Sequence, residues 1–195
     1  MTLGTLEFLK AVEHPEMVAG KVSEALGKVS GADGVGVSEI DPSLSDTAAF
    51  CEKYQIGPEV AANCVILRAK KSGAGSEGNS ETTGGEVQVQ YVACVILATT
   101  RVDVNGLMRE VLGTKKISFA PMDEAVSLSE MEFGGITPVG LPASWPIYID
   151  KAVAESPQLI IGSGVRKSKL LVSGTFLSTL PNAQILEGLG QVKQI

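Results

Sequence analysis

Two spacings of apolar residues alternate along this chain, one helical and one of period two, and each change of spacing marks an element boundary. From Thr5 to Val12 apolar and polar residues follow at near-helical spacing, which predicts a first helix. Pro15 suits the opening turn of a second helix, running to about Gly27. Val35-Gly-Val-Ser-Glu-Ile-Asp predicts a short strand that stops at Pro42. A third helix follows, with Ser45 or Asp46 able to cap it, Ala48, Ala49, Phe50 and Tyr54 on its apolar side, and Gly57-Pro58 ending it.

The most apolar stretches are Ala61-Ala-Asn-Cys-Val-Ile-Leu-Arg and Val87-Gln-Val-Gln-Tyr-Val-Ala-Cys-Val-Ile-Leu, both predicted strands. Alternation in the first half of the second leaves one face wet, and the unbroken run in its second half buries both. Residues 71–86, between the two, are polar and rich in Gly and Ser; they cannot bury apolar area and predict a flexible loop. Asp103 caps a predicted helix through Leu112 that Gly113 stops, Lys115 to Phe119 is a strand, and Pro121 opens a helix to about Glu130 with Asp123 and Glu124 in its first turn. Further strands are predicted at Pro146-Ile-Tyr-Ile-Asp, Gln158-Leu-Ile-Ile-Gly and Lys169-Leu-Leu-Val-Ser, a helix from Gly174 to Leu180, and a short helix or frayed end from about Pro181. Strands and helices alternate without a strict βαβ repeat. The expected fold is therefore mixed α/β (α+β): one domain over 1–195, a central mixed sheet, partly antiparallel, flanked by helices, with N-terminal helices over 1–30 as an extension.

Composition narrows the function classes. The chain has 195 residues, 44% of them hydrophobic, enough for one well-filled core. A formal charge of -6 argues against sequence-independent binding to a nucleic-acid duplex, so DNA is not an expected partner, whereas a small contact to one end of an RNA is compatible with it. Cys51, Cys64 and Cys94 are odd in number, lack C-x-x-C spacing and sit in apolar surroundings, which suits reduced core residues of a cytoplasmic protein. His14 is the single histidine and stands before Pro15 at a predicted helix start, a surface or capping position, so a histidine triad or multi-histidine metal site is not expected. Neither a signal-peptide pattern nor an apolar run near the roughly 20 residues of a membrane span is present, so a soluble, intracellular protein without cofactor or metal is the expectation.

The candidate chemistry lies in Phe133-Gly-Gly-Ile-Thr-Pro-Val-Gly-Leu. Three glycines and a proline here rule out an ordinary helix or central strand: Gly134 and Gly135 can take positive φ, and Pro138 keeps Thr137 out of the α region. Successive amides of such a loop can converge on an anion, or on a carbonyl oxygen gaining negative charge. A plain glycine-rich connection would have the same composition. The G-x-S-x-G, G-x-x-x-x-G-K-[ST], H-E-x-x-H and G-x-G-x-x-G motifs are absent.

The ordered set from Thr47 to Leu180 resembles the YbaK/ProX-type aminoacyl-tRNA deacylases, the family that includes the editing domain associated with prolyl-tRNA synthetase. The pieces are Thr47-Ala-Ala-Phe, the core strand Ala62-Asn-Cys-Val-Ile-Leu, Val102-Asp-Val-Asn-Gly-Leu, Leu112-Gly-Thr-Lys-Lys, the Pro121 helix, the G-x-x-x-P loop Gly134 to Pro138, Tyr148-Ile-Asp-Lys-Ala and the strand ending Gly162-Ser-Gly. The resemblance implies hydrolysis of the ester joining an amino acid to the 3′ end of a tRNA, without cofactor or metal, with Gly134, Gly135, Ile136, Thr137 and Pro138 as the carbonyl-positioning loop. Asn63 and the Gly162-Ser163-Gly164 turn would line the same pocket. Many members carry lysine where this chain has Asn63, which keeps hydrogen-bonding capacity but no charge. The water would then be activated by the substrate's own 2′-hydroxyl or α-amino group. Arg68 and Arg166, with Lys70, Lys71, Lys167 and Lys169, are the basic residues available to the tRNA end, and a partner synthetase is a second candidate. A catalytically silent module binding an aminoacyl-adenosine, a nucleotide or a synthetase, and an unrelated small-molecule hydrolase, remain open alternatives.

Overall fold

The computed structural model describes residues 1–44, 47–71 and 88–192. In chain order the elements begin with β1 (Thr2–Leu3), β2 (Leu6–Glu7), β3 (Leu9–Lys10), α1 (Gly20–Leu26), β4 (Gly36–Glu39), α2 (Thr47–Tyr54), β5 (Ala62–Lys71), β6 (Gln88–Leu97), β7 (Thr100–Val102) and α3 (Leu107–Leu112). They continue with β8 (Ile117–Phe119), α4 (Met122–Ser129), β9 (Ile147–Asp150), α5 (Lys151–Ala154), β10 (Leu159–Gly162), β11 (Ser168–Val172), α6 (Gly174–Ser178), β12 (Ala183–Leu186) and β13 (Gly190–Val192).

The two apolar runs pair with each other. β5 and β6 are antiparallel over ten residues, from Ala62 opposite Leu97 to Lys71 opposite Gln88. β8 extends this pair on one side; β9 and then β12 extend it on the other, both parallel to their neighbours, giving the order β12-β9-β6-β5-β8. Along β6 the first residues are exposed and Val92 to Ile96 fully buried, as the change from alternation to an unbroken run predicts. A second, antiparallel sheet has the order β10-β11-β4-β3, and a parallel bridge from Ala61 to Ile160 joins the two sheets at the start of β5. The fold is thus mixed α/β, with a core of residues such as Val22, Val37, Ile149, Leu159 and Leu170 from both sheets and α1.

Local signals explain several helix ends. Asp103 accepts hydrogen bonds from the amides of Gly106 and Leu107, both 2.9 Å, and Gly113 closes α3 in the left-handed conformation (φ 62°). α5 was not anticipated; the Asp150 carboxylate caps it by accepting from the amide of Ala152 at 3.0 Å.

Both chain ends depart from expectation. Thr5 to Val12 forms β2 and β3 rather than a helix: Gly4 at φ 56° turns β1 into β2, and Leu6 and Phe8 point inward at period two. Eight residues fit either spacing, and pairing with β4 decides. Pro15 opens a single 3-10 turn, and the only α-helix among residues 1–30 is α1, so this segment is no helical extension; β3 is an edge strand of the second sheet. The tail forms β12 beside β9 and β13 beside β7 instead of a helix, because those edges supply its hydrogen-bond partners. Beyond Lys71 the polar stretch 71–86 lies outside the described residues, as do Ser45 and Asp46. Among the described residues no helix is long and apolar enough to cross a membrane.

Candidate functional site

α4 ends at Glu130 in the left-handed conformation, and the glycine loop that follows lies directly on the turn after β10. The contact is main chain on main chain. A Cβ on Gly162 would stand 2.3 Å from the Gly135 carbonyl oxygen and 2.7 Å from that of Ile136; a Cβ on Gly135 would meet the Val165 backbone at 2.6 Å. Hydrogen bonds clamp the two segments: the Gly164 amide donates to the Gly135 carbonyl (2.7 Å) and the Glu132 amide to the Gly164 carbonyl (2.8 Å). The Glu132 carboxylate accepts from the Arg166 amide at 2.6 Å. Only glycine at 135 and 162 permits this approach.

In front of the clamp is a cleft of about 530 Å³. One wall is the start of β5 with Asn63 and Cys64, a second is α2 with Thr47 and Phe50, and a third is formed by Gly134, Ile136, Gly162, Arg166 and Lys169. Phe133, 59% exposed, stands among the lining residues. The Asn63 side-chain oxygen accepts from the Thr47 hydroxyl at 3.0 Å, which leaves the amide NH2 as its donor end. Arg166 is braced: Nε and Nη2 donate to the Pro42 carbonyl at 3.3 and 3.0 Å. Lys169 is 8% exposed, its ammonium 5.6 Å from the centre of the Phe50 ring. Burial, with a smaller contribution from Cys94, pushes the Cys64 thiol up, so at neutral pH it is a thiol and a poor nucleophile. Among the described lining residues there is no carboxylate and no histidine.

The cleft therefore gathers Asn63, Gly134, Ile136, Gly162 and Arg166, but not every residue anticipated with them. The Gly135 amide is committed to the Glu132 carbonyl at 2.9 Å, so it cannot also serve a ligand oxygen. Among the described residues the amides of Gly134, Ile136 and Thr137 have no main-chain acceptor. Thr137 has no exposed surface, and its hydroxyl lacks a partner among the described residues. Pro138 opens instead onto a second cleft of about 520 Å³, shared with Gly140 and Leu141. Ser163 is buried, its hydroxyl donating to the carbonyls of Val165 and Ser168 at 3.1 and 2.9 Å, and Gly164 (φ 84°) packs on Ala19 and Val22. Arg68 lies five residues along β5, about 16 Å from Asn63 at the usual strand rise, where Nη1 pairs with the Glu124 carboxylate at 3.1 Å. It belongs to a structural network, not to the cleft. Lys70 and Lys167 are also absent from the lining, and nothing is described of the Lys71 side chain.

Thr47, Phe50 and Phe133 were not anticipated as site residues, and Lys169 was counted only among rim cations. One signal was available for Lys169: a lysine inside the otherwise apolar run Ser-Lys-Leu-Leu-Val, every residue of which is buried.

The sequence profile of the aminoacyl-tRNA editing domain matches residues 41–180. Three solved structures are similar in fold. A candidate trans-editing enzyme for prolyl-tRNA synthetase is 18% identical, with a TM-score of 0.65 over 86% of this chain and 94% of that one. A hypothetical protein is 20% identical, with a TM-score of 0.66 over 88% and 99%. A scaffold protein from computational epitope backbone grafting is 17% identical, with a TM-score of 0.67 over 87% and 95%. No curated protein sequence matches the chain.

Proposed function

The chain belongs to the aminoacyl-tRNA editing domain family, and from that premise we propose that it hydrolyses, in trans, the ester holding a wrongly attached amino acid on the 3′ end of a tRNA. Water adds to the ester carbonyl carbon, the bond to the ribose oxygen breaks, and free amino acid and a tRNA with a free terminal hydroxyl are released. Negative charge collects on the former carbonyl oxygen as water attacks. Donors already aimed there stabilise that state more than the ground state. The amides of Gly134 and Ile136 and the NH2 of Asn63 are suited to this part. In this reading the substrate's own 2′-hydroxyl or neutral α-amino group takes up the proton of the attacking water and passes it to the departing ribose oxygen, which leaves as the free hydroxyl. The partner is then the 3′ end of an aminoacyl-tRNA, with a synthetase as a further candidate, and the compartment is the cytoplasm.

The observation that carries this reading is the clamp of the glycine loop on the Gly162 turn, which faces Gly134 and Ile136 toward the same cleft as Asn63. The test is incubation with a panel of mischarged tRNAs. At least one is expected to be deacylated, and Gly162→Ala, whose methyl would force the loop away, is expected to slow that by about a hundredfold or more. Hydrolysis of none overturns the proposal. The neutral Asn63 favours a second reading, a binding module without turnover, and binding of the same tRNAs without hydrolysis would establish it.

A further inference from the structure

We propose that Phe133 is the platform on which the base of the ligand's 3′-terminal nucleotide stacks, and that the free edge of the Arg166 guanidinium takes the phosphate of the same nucleotide. This rests on the proposed editing reaction and names how its RNA end is held. Phe133 stands immediately before the glycine loop, lines the cleft and is 59% exposed. No aromatic ring or cation lies against it among the described residues, whereas Phe50 packs on Tyr54 and Tyr91 on Trp145. A single exposed apolar residue is common on a protein surface. This one differs in that its backbone is fixed and a braced guanidinium shares its cleft.

The turn that carries the ring is tied down on both sides. The Glu132 carbonyl accepts from the Gly135 amide at 2.9 Å, closing a tight turn with Phe133 and Gly134 at its centre. Gly134 supplies the positive φ (83°) that the second central position of a type II turn requires. The Glu132 amide donates to the Gly164 carbonyl at 2.8 Å, and its carboxylate accepts from the Arg166 amide at 2.6 Å. One residue thus anchors both the turn under the ring and the main chain of the arginine, so their spacing is set before a ligand arrives. Only one edge of the guanidinium is used: Nε and Nη2 donate to the Pro42 carbonyl, and Nη1 has no partner among the described residues. An aromatic face accepts any base by stacking, and a fixed guanidinium edge meets a phosphate through charge-assisted hydrogen bonds. Single-stranded RNA is held by that pair of contacts. With base and phosphate so placed, the ribose and its ester extend inward to Gly134, Ile136 and Asn63.

The test uses the full chain and deacylated tRNA, so that binding is read apart from hydrolysis. Affinity is measured for intact tRNA and for the same tRNA with an abasic terminal ribose. Wild type is expected to bind the abasic tRNA about tenfold more weakly; Phe133→Ala should lose about tenfold on intact tRNA and little more on abasic tRNA, and Phe133→Tyr less than threefold. A merely structural ring would not couple to one base in this way. Arg166→Met should flatten the slope of log K against log salt by about 0.7, the share of one single-stranded phosphate, while Arg166→Lys and Phe133→Ala leave it unchanged. Because the ring is exposed, the Tm of Phe133→Ala should stay near wild type. Phe133→Ala within twofold of wild type on intact tRNA, equal weakening on intact and abasic tRNA, or no measurable binding of intact tRNA overturns the platform; an unchanged slope in Arg166→Met overturns the phosphate contact. If wild type deacylates no mischarged tRNA yet shows the coupling, the editing reaction fails and the platform stands. Deacylation without coupling leaves the reaction standing and the platform overturned, and absence of both overturns both.

Discussion

The part proposed for Asn63 depends on Thr47, whose hydroxyl holds the side-chain oxygen and leaves the NH2 as the donor end. Without the threonine hydroxyl the side chain can rotate, and a donor that must be positioned during the reaction contributes less than one fixed beforehand. Thr47→Val is therefore expected to lower the deacylation rate by about tenfold, and Asn63→Ala by about a hundredfold, with little change in Tm. Unchanged rates and substrate affinity in Asn63→Ala would remove Asn63 from the mechanism. At this scale the sequence is least informative. Arg68 and Lys169 are both basic residues inside apolar strands, yet the first pairs with Glu124 on α4 and the second lies over the Phe50 ring at the cleft. Which partner a side chain meets depends on register, and no spacing along the chain reports it.

Three elements are tied together by one carboxylate. Glu124 on α4 pairs with Arg68 on β5 and accepts from the Tyr91 hydroxyl on β6 at 2.5 Å, fixing the helix that leads into the glycine loop. The hydrogen bond to Glu124, then burial, raise the Tyr91 hydroxyl above its ordinary value. A raised folded-state value means that the neutral phenol is the form folding favours. Its stabilisation is complete below the unfolded value near 10 and is lost as pH rises through the folded value. Denaturation at neutral pH should show Tyr91→Phe about 1 kcal/mol less stable than wild type, a difference that shrinks as pH climbs above about 10. A difference independent of pH would contradict this account. Element type was legible wherever a stretch was long or capped, as in β5, β6, α2, α3 and α4. The two- to four-residue strands at the ends were not, since β3, β12 and β13 take their identity from the edges they pair with.

Taken whole, the molecule carries a formal charge of -6, yet Arg166 and Lys169 line the cleft. Binding of a polyanion at this cleft would then rest on few charge contacts, which suits a strand end rather than a duplex. One cation meeting a single-stranded phosphate should give a slope of log K against log salt of about -0.7. A much steeper slope in a titration with deacylated tRNA would indicate a phosphate track elsewhere, and a slope near zero would remove Arg166 from phosphate contact. The mixed α/β class was legible from the alternation of elements, whereas the joining of two sheets at Ala61 and Ile160 was not, because a single bridge between distant residues leaves no periodic trace.

The glycine clamp has a consequence for how such a protein can change over time. Its contacts run between backbone atoms, while the opposing walls are built from replaceable side chains such as Phe50, Cys64 and Ile160. Under the proposed editing reaction, selectivity for one amino acid over another could then drift by ordinary point substitution while the main-chain scaffold of the loop is inherited intact.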